Sequence, residues 1–537
     1  MFEFFLYTET HFRFFKWQPS FLYQKEPEII FDCPPRISPK KTEIPIYLFV
    51  KDFKNYDFSV ESVEVQVVCK GKIVEERSFY DIEKYKTYEK YDLRGFRFTV
   101  SKPQDLHGEN LFVYPKLKYR IGGKTKTAAV DNVNTTSKFP FSVFIASENY
   151  PNDEENPAKF YDLHCHSSHT NDHIEFGAPV DFIADCADFC GLDGVAITDH
   201  SYDICCKPQN YLEKDENLTH WKELLEESRR KYAVEALFGE EISVMRNGGG
   251  AVHLVAVGNK KFITGTADGA RKNYRRKCEP TMEQAVNFAL ADGAVVFAAH
   301  PGERPNIFHR LFLRRDFWRF CDFENLQISA VQAINGNFDK SWHIARKLWI
   351  DLLLCGRKIP LVAGNDAHGD FNRYRATSVP FVFVEENFER HFAKSRTGIY
   401  GNLQLYEAIN YGRTFITTGA FIDIQADKKS VISNEIFDGE TALELVIKSG
   451  EEFGTIKRIK LFLGDCKLKK ENCVFVNLSD EKYYYRQEIS RSLLRNCDYL
   501  RAEAACINDR GETFAATSAV YLERETGFEP ATFTLGR

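Results

Sequence analysis

Long apolar runs are missing from this 537-residue chain. No stretch approaches the roughly 20 apolar residues that a membrane-spanning helix needs. The first ten residues carry acid where a secretory signal needs base, and no small-residue cleavage site follows them. The 14 cysteines form neither a Cys-x-x-Cys pair nor a zinc-ribbon spacing. We therefore expect a cytoplasmic protein with reduced thiols and no membrane partner.

An excess of positive charge is also missing. Lys and Arg number 71 against 77 Asp and Glu, which gives a net charge of −6. The net charge therefore does not attract nucleic acid or an anionic membrane, and long nucleic acids are disfavoured as substrates. Short anionic substrates remain permitted, because a local metal cluster supplies positive charge. Internal repeats are absent from the sequence, and no feature indicates an obligate protein partner.

Three structured regions and a tail are predicted from the hydrophobic patterns. Residues 1–155 and 421–524 alternate apolar and polar positions with the period of β-strands, which predicts an N-terminal and a C-terminal β-sandwich-like domain. Residues 156–420 alternate short apolar runs with amphipathic helices, which favours parallel βα units. Residues 525–537 have no periodicity, and we expect a disordered tail.

The most informative stretch is Asp162-Leu-His-Cys-His-Ser167. His164 and His166 are two residues apart, so in a β-strand both imidazoles project to the same face. Neutral imidazole is the commonest metal-ligand side chain, although a pair of solvated surface histidines is the alternative reading.

Further strand ends carry the same residue types and favour the metal site. Of the 14 histidines, 12 lie between residues 164 and 391. Apolar runs end or begin at His200, Glu240 and Glu241, His253, His300, and the Asp366–His368 pair. Mixed imidazole and carboxylate ligands favour zinc, manganese or iron. With ligands at the carboxyl ends of about seven strands, a β/α barrel is the expected closure.

These motifs have a family resemblance. Residues 162–167, 197–200, 239–243, 299–302 and 364–368 resemble the successive motifs of the PHP (polymerase and histidinol phosphatase) superfamily of metallohydrolases. Gly412-Arg-Thr-Phe-Ile-Thr-Thr-Gly419, followed by a β domain ending Leu500-Arg-Ala-Glu, is similar to the CehA/McbA branch. The resemblance implies a distorted, TIM-like, seven-stranded β/α barrel flanked by the two β-sandwich-like domains. It also implies two or three divalent transition-metal ions (Mn, Zn or Fe).

The resemblance implies a role for each motif residue. His164, His166 and Asp366 would bind one metal, Glu241 would bridge two, and His253 and His300 would bind the second. His200 and His368 would bind a third. Catalytic roles would fall to Glu241, His200 and His300.

One position departs from the family pattern. The family has an Asp seven residues, or a His eight residues, after the first histidine, whereas this chain has Asn171 and Asp172 there. We expect Asp172 to be the displaced ligand, with His173 as a competitor.

Three functions remain open from the sequence. The first is a phosphoesterase of the phosphatase or 5′–3′ exonuclease type, acting on nucleotides or oligonucleotide ends through a metal-bridging hydroxide. The second is a CehA/McbA-like carbamate, ester or amide hydrolase, and the third is a non-catalytic metal-binding scaffold. Arg304, Arg373 and Arg375 follow metal motifs on loops and are candidates for holding an anionic substrate group, although loop arginines are usually solvated.

Overall fold

The fold is described from a computed structural model of the chain. It describes residues 6–7, 27–103, 105–129, 140–170, 177–208, 210–265, 279–305, 307, 310, 314–369, 371–372, 374–378, 383–387, 392–437, 441–478 and 482–523. Asp172, His173, Arg373 and the tail expected at 525–537 lie outside these residues.

The N-terminal region consists of strands and two short 3-10 helices. The strands are β1 (Leu6–Tyr7), β2 (Glu28–Asp32), β3 (Arg36–Ile37), β4 (Glu43–Lys51), β5 (Phe58–Cys69), β6 (Lys72–Phe79), β7 (Lys86–Lys90), β8 (Leu93–Ser101), β9 (Asn110–Ile121), β10 (Lys124–Ala129) and β11 (Phe141–Ile145), and the 3-10 helices are Phe53–Asn55 and Ile82–Tyr85. β2, β4, β8 and β7 form one sheet, and β3, β11, β9, β5 and β6 form a second, with β10 paired to β9. Alternate residues of β9 are buried, because one face of its sheet packs on a core shared by both sheets.

The central region alternates strands and helices over its first two thirds. Its strands are β12 (Ala158–Cys165), β13 (Gly194–Ile197), β14 (Cys206–Lys207), β15 (Asn210–Lys214), β16 (Glu235–Met245), β17 (Ala251–Val257), β18 (Val295–Ala298), β19 (Ala330–Asn335), β20 (Leu361–Gly364), β21 (Tyr374–Ser378), β22 (Phe383–Asn387), β23 (Arg396–Tyr400) and β24 (Thr414–Thr417). Its helices are Val180–Cys190, Ser201–Ile204, Thr219–Ser228, Met282–Ala291, Lys340–Leu354 and Leu405–Asn410, with a 3-10 helix at Phe320–Phe323.

The predicted seven-stranded β/α barrel is wrong. The seven strands run side by side in the order β20-β19-β18-β17-β16-β13-β12, but they are one part of a 15-stranded sheet that continues through β23 and β24. β16, β17 and β18 pair antiparallel, and the turn at residues 246–250 joins β16 to β17 without a crossover helix. The free edge of β12 is taken by antiparallel β23, so no ladder joins β12 to β20 among the described residues. The result is a curled, open sheet.

The curl still brings the strand ends together. Cys165 and Ala367 form an isolated parallel bridge, and His200 and Glu241 form another. Gly364 allows the closest approach, since a Cβ at this position would lie 2.5 Å from the Cβ of His164. Side chains at the ends of several strands, and Glu241 within β16, therefore face a common volume.

The C-terminal region returns to β structure. Its elements are β25 (Phe421–Ala426), β26 (Lys429–Ser430), β27 (Ser433–Phe437), β28 (Leu443–Lys448), β29 (Thr455–Asp465), β30 (Lys470–Asn477), β31 (Tyr484–Ile489), the helix Arg491–Leu494, β32 (Tyr499–Asn508), β33 (Gly511–Thr517) and β34 (Val520–Leu522). β26, β25, β28 and β31 form a sheet of their own, whereas β33, β32, β29 and β30 extend the large sheet from β24. One apolar core runs through all three regions and includes Tyr47, Phe182 and Phe453. The domain limits at 155, 420 and 524 stay predictions.

None of the helices in the described part of the chain has the length and apolar character required to cross a bilayer.

Candidate metal centre

The end of β12 places two imidazoles in the curl of the sheet. His164 and His166 are both fully buried, and their Nε2 atoms lie 3.3 Å apart. Cys165 between them faces away and donates its thiol hydrogen to the Ala196 carbonyl at 3.3 Å. The side chains of residues 164–166 therefore alternate between the two faces of the strand, as the i, i+2 spacing predicts.

Two carboxylates complete a four-atom group around these nitrogens. The Glu241 Oε2 atom lies 3.5 Å from His164 Nε2 and 3.3 Å from His166 Nε2. The Asp366 Oδ1 atom lies 3.4 Å and 3.1 Å from the same two nitrogens. The four side chains offer donor atoms that all lie within 4.8 Å of one another.

This group fits a divalent metal ion. Ligand atoms about 2.0–2.1 Å from a tetrahedral zinc ion lie about 3.3–3.4 Å from one another, close to the separations found here. His164 Nδ1 donates to Gln332 Oε1 at 2.9 Å, so in the neutral imidazole the Nε2 lone pair faces the other ligands. Two nitrogens and two carboxylate oxygens that converge in this way match the chemistry of zinc, manganese or iron.

The second carboxylate oxygen of Glu241 reaches another group. Its Oε1 atom lies 2.6 Å from His253 Nδ1 and 3.0 Å from His300 Nε2. Glu241 thus contacts both groups, which is the geometry of a bridging carboxylate. Its neighbour Glu240 faces the other side of β16, where it accepts hydrogen bonds from Trp221 and Asn259.

A third group is formed by His166, His200 and His368. The His166 ring stacks on that of His368 with centroids 4.1 Å apart and lies 4.4 Å from that of His200. The His200 Nδ1 atom is 3.0 Å from Glu241 Oε2. His368 Nδ1 donates to the Asp366 carbonyl at 3.0 Å, which fixes the tautomer of the neutral ring.

Two residues of the site have strained backbones. His300 has a φ of 29° and Asp366 a φ of 53°, in the left-handed region that non-glycine residues seldom adopt. Such conformations persist where the surrounding structure imposes them, and they cluster at functional sites. Here they turn the side chain at the end of each strand toward the centre.

Burial and the neighbouring histidines shift the pKa values of the two carboxylates in opposite directions. Burial alone would raise the pKa of Glu241, but His253, His164 and His200 hold it well below its usual value. Asp366 is likewise pushed upward by burial and held well below its usual pKa by His164 and His166. The pKa of His166 is lowered by burial and by its neighbours His368 and His200. Ionised carboxylates beside a neutral imidazole are the protonation states that bind cations.

Polar side chains on β19 support the ligands. Gln332 Oε1 also accepts from the His300 backbone amide at 3.3 Å, so one amide group orients two candidate ligands. Asn335 Nδ2 donates to Asp366 Oδ2 at 3.1 Å and to Glu303 Oε1 at 2.9 Å. Sequence reasoning missed both residues, although two buried polar residues within the strand Ala330–Asn335 are a signal that could have found them.

The structure brings together eight of the nine predicted metal ligands, namely His164, His166, His200, Glu241, His253, His300, Asp366 and His368. The ninth, Asp172, lies outside the described residues, and metal binding itself stays a prediction.

Of the three arginines predicted to bind substrate, only Arg304 has a described side chain, and it contacts its own loop. Arg304 is exposed, donates to the carbonyls of Pro301 and Glu303, and stacks on the Phe317 ring at 4.2 Å. Arg373 lies outside the described residues, and only the backbone of Arg375 is described, in β21.

A different arginine, Arg315, lies at the centre. Its Nη2 atom is 3.2 Å from His253 Nε2. The segment is fixed because Ala251 and Arg315 form an isolated β-bridge and because Asp316 pairs with the buried Arg246. Sequence reasoning missed Arg315, which follows no histidine or carboxylate motif, and nothing in the local pattern predicts its position.

A further histidine cluster lies beside the centre. His169, His220 and Glu223 offer ligand atoms within 4.8 Å of one another. The Lys90 ammonium lies 2.9 Å from Glu223 Oε2 and 2.8 Å from Glu227 Oε1, so a cation already pairs with both carboxylates. His169 in turn contacts Glu227 at 2.9 Å. The N-terminal sandwich is thereby joined to the loop that follows His166.

Comparisons with known proteins assign no family. Neither a protein-family model nor a curated protein matches the chain. Among solved structures, a glycosyl hydrolase family 2 member from Bacteroides cellulosilyticus DSM 14838 is similar at 10% identity and a TM-score of 0.17, over 92% of this chain and 63% of that one. Beta-glucuronidase 3 from Bacteroides uniformis is similar at 9% identity and a TM-score of 0.18, over 93% and 64%. The chain spans less than two thirds of either protein, and TM-scores this low support no conclusion about fold or function.

Proposed function

We propose that this protein is a metal-dependent hydrolase whose motifs are those of the PHP superfamily, and that its substrates are small phosphoesters such as nucleotides or oligonucleotide ends. The observation that carries the proposal is the position of Glu241. One of its oxygens lies with His164 and His166, and the other lies with His253 and His300. A buried carboxylate shared by two imidazole groups is suited to hold two cations side by side.

The residues of the chain have separable tasks in this reaction. His164, His166 and Asp366 would hold one ion, and His253 and His300 the other, with Glu241 between them. Bound divalent ions lower the pKa of a coordinated water toward 7 and polarise the bond to be broken. Gln332 and Asn335 fix the orientation of His164 and Asp366 through hydrogen bonds of 2.9 and 3.1 Å. Burial of the ligands excludes bulk water and strengthens every charge interaction at the reacting atoms.

Arg315 favours an anionic substrate. Its guanidinium contacts the ligand His253, and a guanidinium is a planar group of donors of the kind that binds phosphate oxygens. A neutral carbamate offers no matching charge. Hydrolysis of a carbamate, ester or amide is the alternative, because the same ligands would activate water for attack on a carbonyl carbon.

A three-substrate comparison tests the proposal. Manganese-loaded and zinc-loaded protein would be assayed on p-nitrophenyl phosphate, bis-p-nitrophenyl phosphate and 1-naphthyl N-methylcarbamate. We expect turnover of a phosphoester that is lost in Glu241→Gln and retained in His343→Ala, a control at an exposed helical histidine. Turnover of the carbamate alone would select the alternative. A protein that binds metal and turns over none of the three would be a scaffold.

A further inference from the structure

Two arginines enclose one tyrosine ring where the three regions of the chain meet. Tyr150 lies in the linker before β12, Arg36 on β3 and Arg396 at the start of β23. The Arg36 guanidinium carbon is 4.2 Å from the Tyr150 ring centroid, and that of Arg396 is 4.0 Å from it. All three side chains are buried, with Arg396 only 2% exposed.

Each nitrogen of the Arg36 guanidinium has a hydrogen-bond partner. Its Nε and Nη2 atoms donate to the two carboxylate oxygens of Glu452 at 2.7 and 2.8 Å. Its Nη1 atom donates to the Cys190 carbonyl at 2.8 Å, and Nη2 also donates to the Glu148 carbonyl at 2.7 Å. The negative charge of Glu452 is therefore paired with Arg36.

Arg396 is satisfied on one edge only. Its Nη1 atom donates to the carbonyls of Ala393 and Lys394, both at 3.0 Å. Its Nε and Nη2 atoms are buried and have no hydrogen-bond partner among the residues that the structure describes. These two atoms form an edge of the guanidinium that donates two parallel hydrogen bonds to an anion in bidentate pairs.

The charges at this junction do not balance. Among the described residues, two guanidinium groups face a single carboxylate, so one positive charge is left over in an aromatic surrounding that also includes Phe160 and Phe453. The ring face of Tyr150 offsets part of this charge. A buried charge without a hydrogen-bonded counter-charge is strongly destabilising, so a stable fold requires a further acceptor at the open edge of Arg396.

We propose that the Nε and Nη2 atoms of Arg396 bind a small monovalent inorganic anion of the halide class, and that this anion helps to lock the N-terminal, central and C-terminal regions together. The site is separate from the metal centre and does not depend on the proposed hydrolase activity. A halide matches the donors and the charge, because it accepts two N–H hydrogen bonds and carries a single negative charge. Bulky organic anions are excluded by the burial of the arginine.

Melting temperature as a function of chloride tests the site. Full-length, metal-loaded protein would be melted in sodium gluconate with increasing replacement by sodium chloride at constant ionic strength. We expect a saturating rise of about 2 °C or more, because a ligand bound only by the folded state raises its stability. In Arg396→Met the rise should vanish, whereas Arg230→Met, at a half-exposed arginine, should keep it. If chloride acted by binding at the metal centre, the rise in melting temperature would persist in Arg396→Met.

A crystallographic experiment with bromide tests the proposal even if Arg396→Met does not fold. Crystals of the unmodified protein grown in sodium bromide should show an anomalous peak within hydrogen-bond distance of Arg396 Nε and Nη2. Absence of this peak would mean that water satisfies the guanidinium and would overturn the proposal. The same conclusion follows if chloride and gluconate give equal melting temperatures, or if Arg396→Met responds to chloride as the unmodified protein does.

Discussion

The Nε2 atoms of His164 and His166 face each other at 3.3 Å. Two imidazole nitrogens do not attract each other at this distance unless a proton or a cation lies between them or beside them. The carboxylate oxygens of Glu241 and Asp366 lie within 3.5 Å of both nitrogens, so the group as a whole is arranged to surround a positive ion.

His166→Ala should remove metal and activity together. His166 belongs to two of the three ligand groups, so its loss disturbs more than one ion. We expect turnover to fall by at least about 100-fold, the upper range for loss of a supporting group around a metal. Circular dichroism should stay unchanged, since the apolar cores do not use this side chain. The matched variant His343→Ala should behave as the unmodified protein, and equal turnover in both variants would place the site elsewhere.

Gln332→Leu should weaken metal binding without touching a ligand. The amide of Gln332 orients His164 and accepts from the backbone of His300, and removal of such a partner typically costs about 10–100-fold in metal affinity. A competition titration with a chelator measures the change. Gln332→Glu retains the acceptor and adds negative charge, so it should restore or increase the affinity. Equal affinities in all three proteins would show that Gln332 serves packing alone.

Arg315→Met should separate phosphoesters from neutral substrates. A hydrogen bond to a charged group is worth about 1.5–3 kcal/mol, so loss of the guanidinium should lower kcat/KM for a phosphoester by about 10–100-fold. The carbamate has no anionic group for Arg315 and should be unaffected. Arg304→Met is the control, because Arg304 binds its own loop. A loss equal for both substrate classes would mean that Arg315 positions His253 and does not contact the substrate.

The pH dependence of stability should change in Asp423→Asn. Burial raises the pKa of Asp423 to about 7, against hydrogen bonds from Ser430, Gln425 and Asn156 that lower it. The folded protein therefore binds this proton more tightly than the unfolded chain, and the unmodified protein loses a few kcal/mol of stability as the pH rises from about 4 to about 7. Asp423→Asn lacks this loss.

Urea unfolding at pH 5 and pH 8 measures the difference. The stability advantage of the unmodified protein over Asp423→Asn should be larger at pH 5 than at pH 8. Asp427→Asn, at an exposed position nearby, controls for the loss of one negative charge. An advantage that is the same at both pH values would show that Asp423 is ionised throughout.

The convergence of the candidate ligands could be predicted because it depends on local rules. The i, i+2 spacing of His164 and His166 sets a common face in any strand, and polar residues at the carboxyl ends of parallel strands collect at one edge of a sheet. The grouping of Glu241 with His253 also follows, since the two residues lie on the paired strands β16 and β17. None of these inferences requires knowledge of how the sheet closes.

The barrel could not be predicted in the same way, because closure depends on pairing between distant strands. β23 begins more than 200 residues after β12 and still occupies the edge that a closed barrel would reserve for β20. Arg315 is equally non-local, since it reaches the centre through a bridge with Ala251. Burial of charge and positive φ at Asp366 likewise appear only in the folded chain.

The most direct test of the account is metal content, measured by elemental analysis after removal of metal with a chelator and reconstitution with manganese or zinc. We predict at least two ions per chain in the unmodified protein. Glu241→Gln should lose at least one of them, because it replaces the carboxylate that contacts both groups, whereas Glu226→Gln on the exposed face of its helix should lose none. Less than one ion per chain in the reconstituted protein would contradict the central claim.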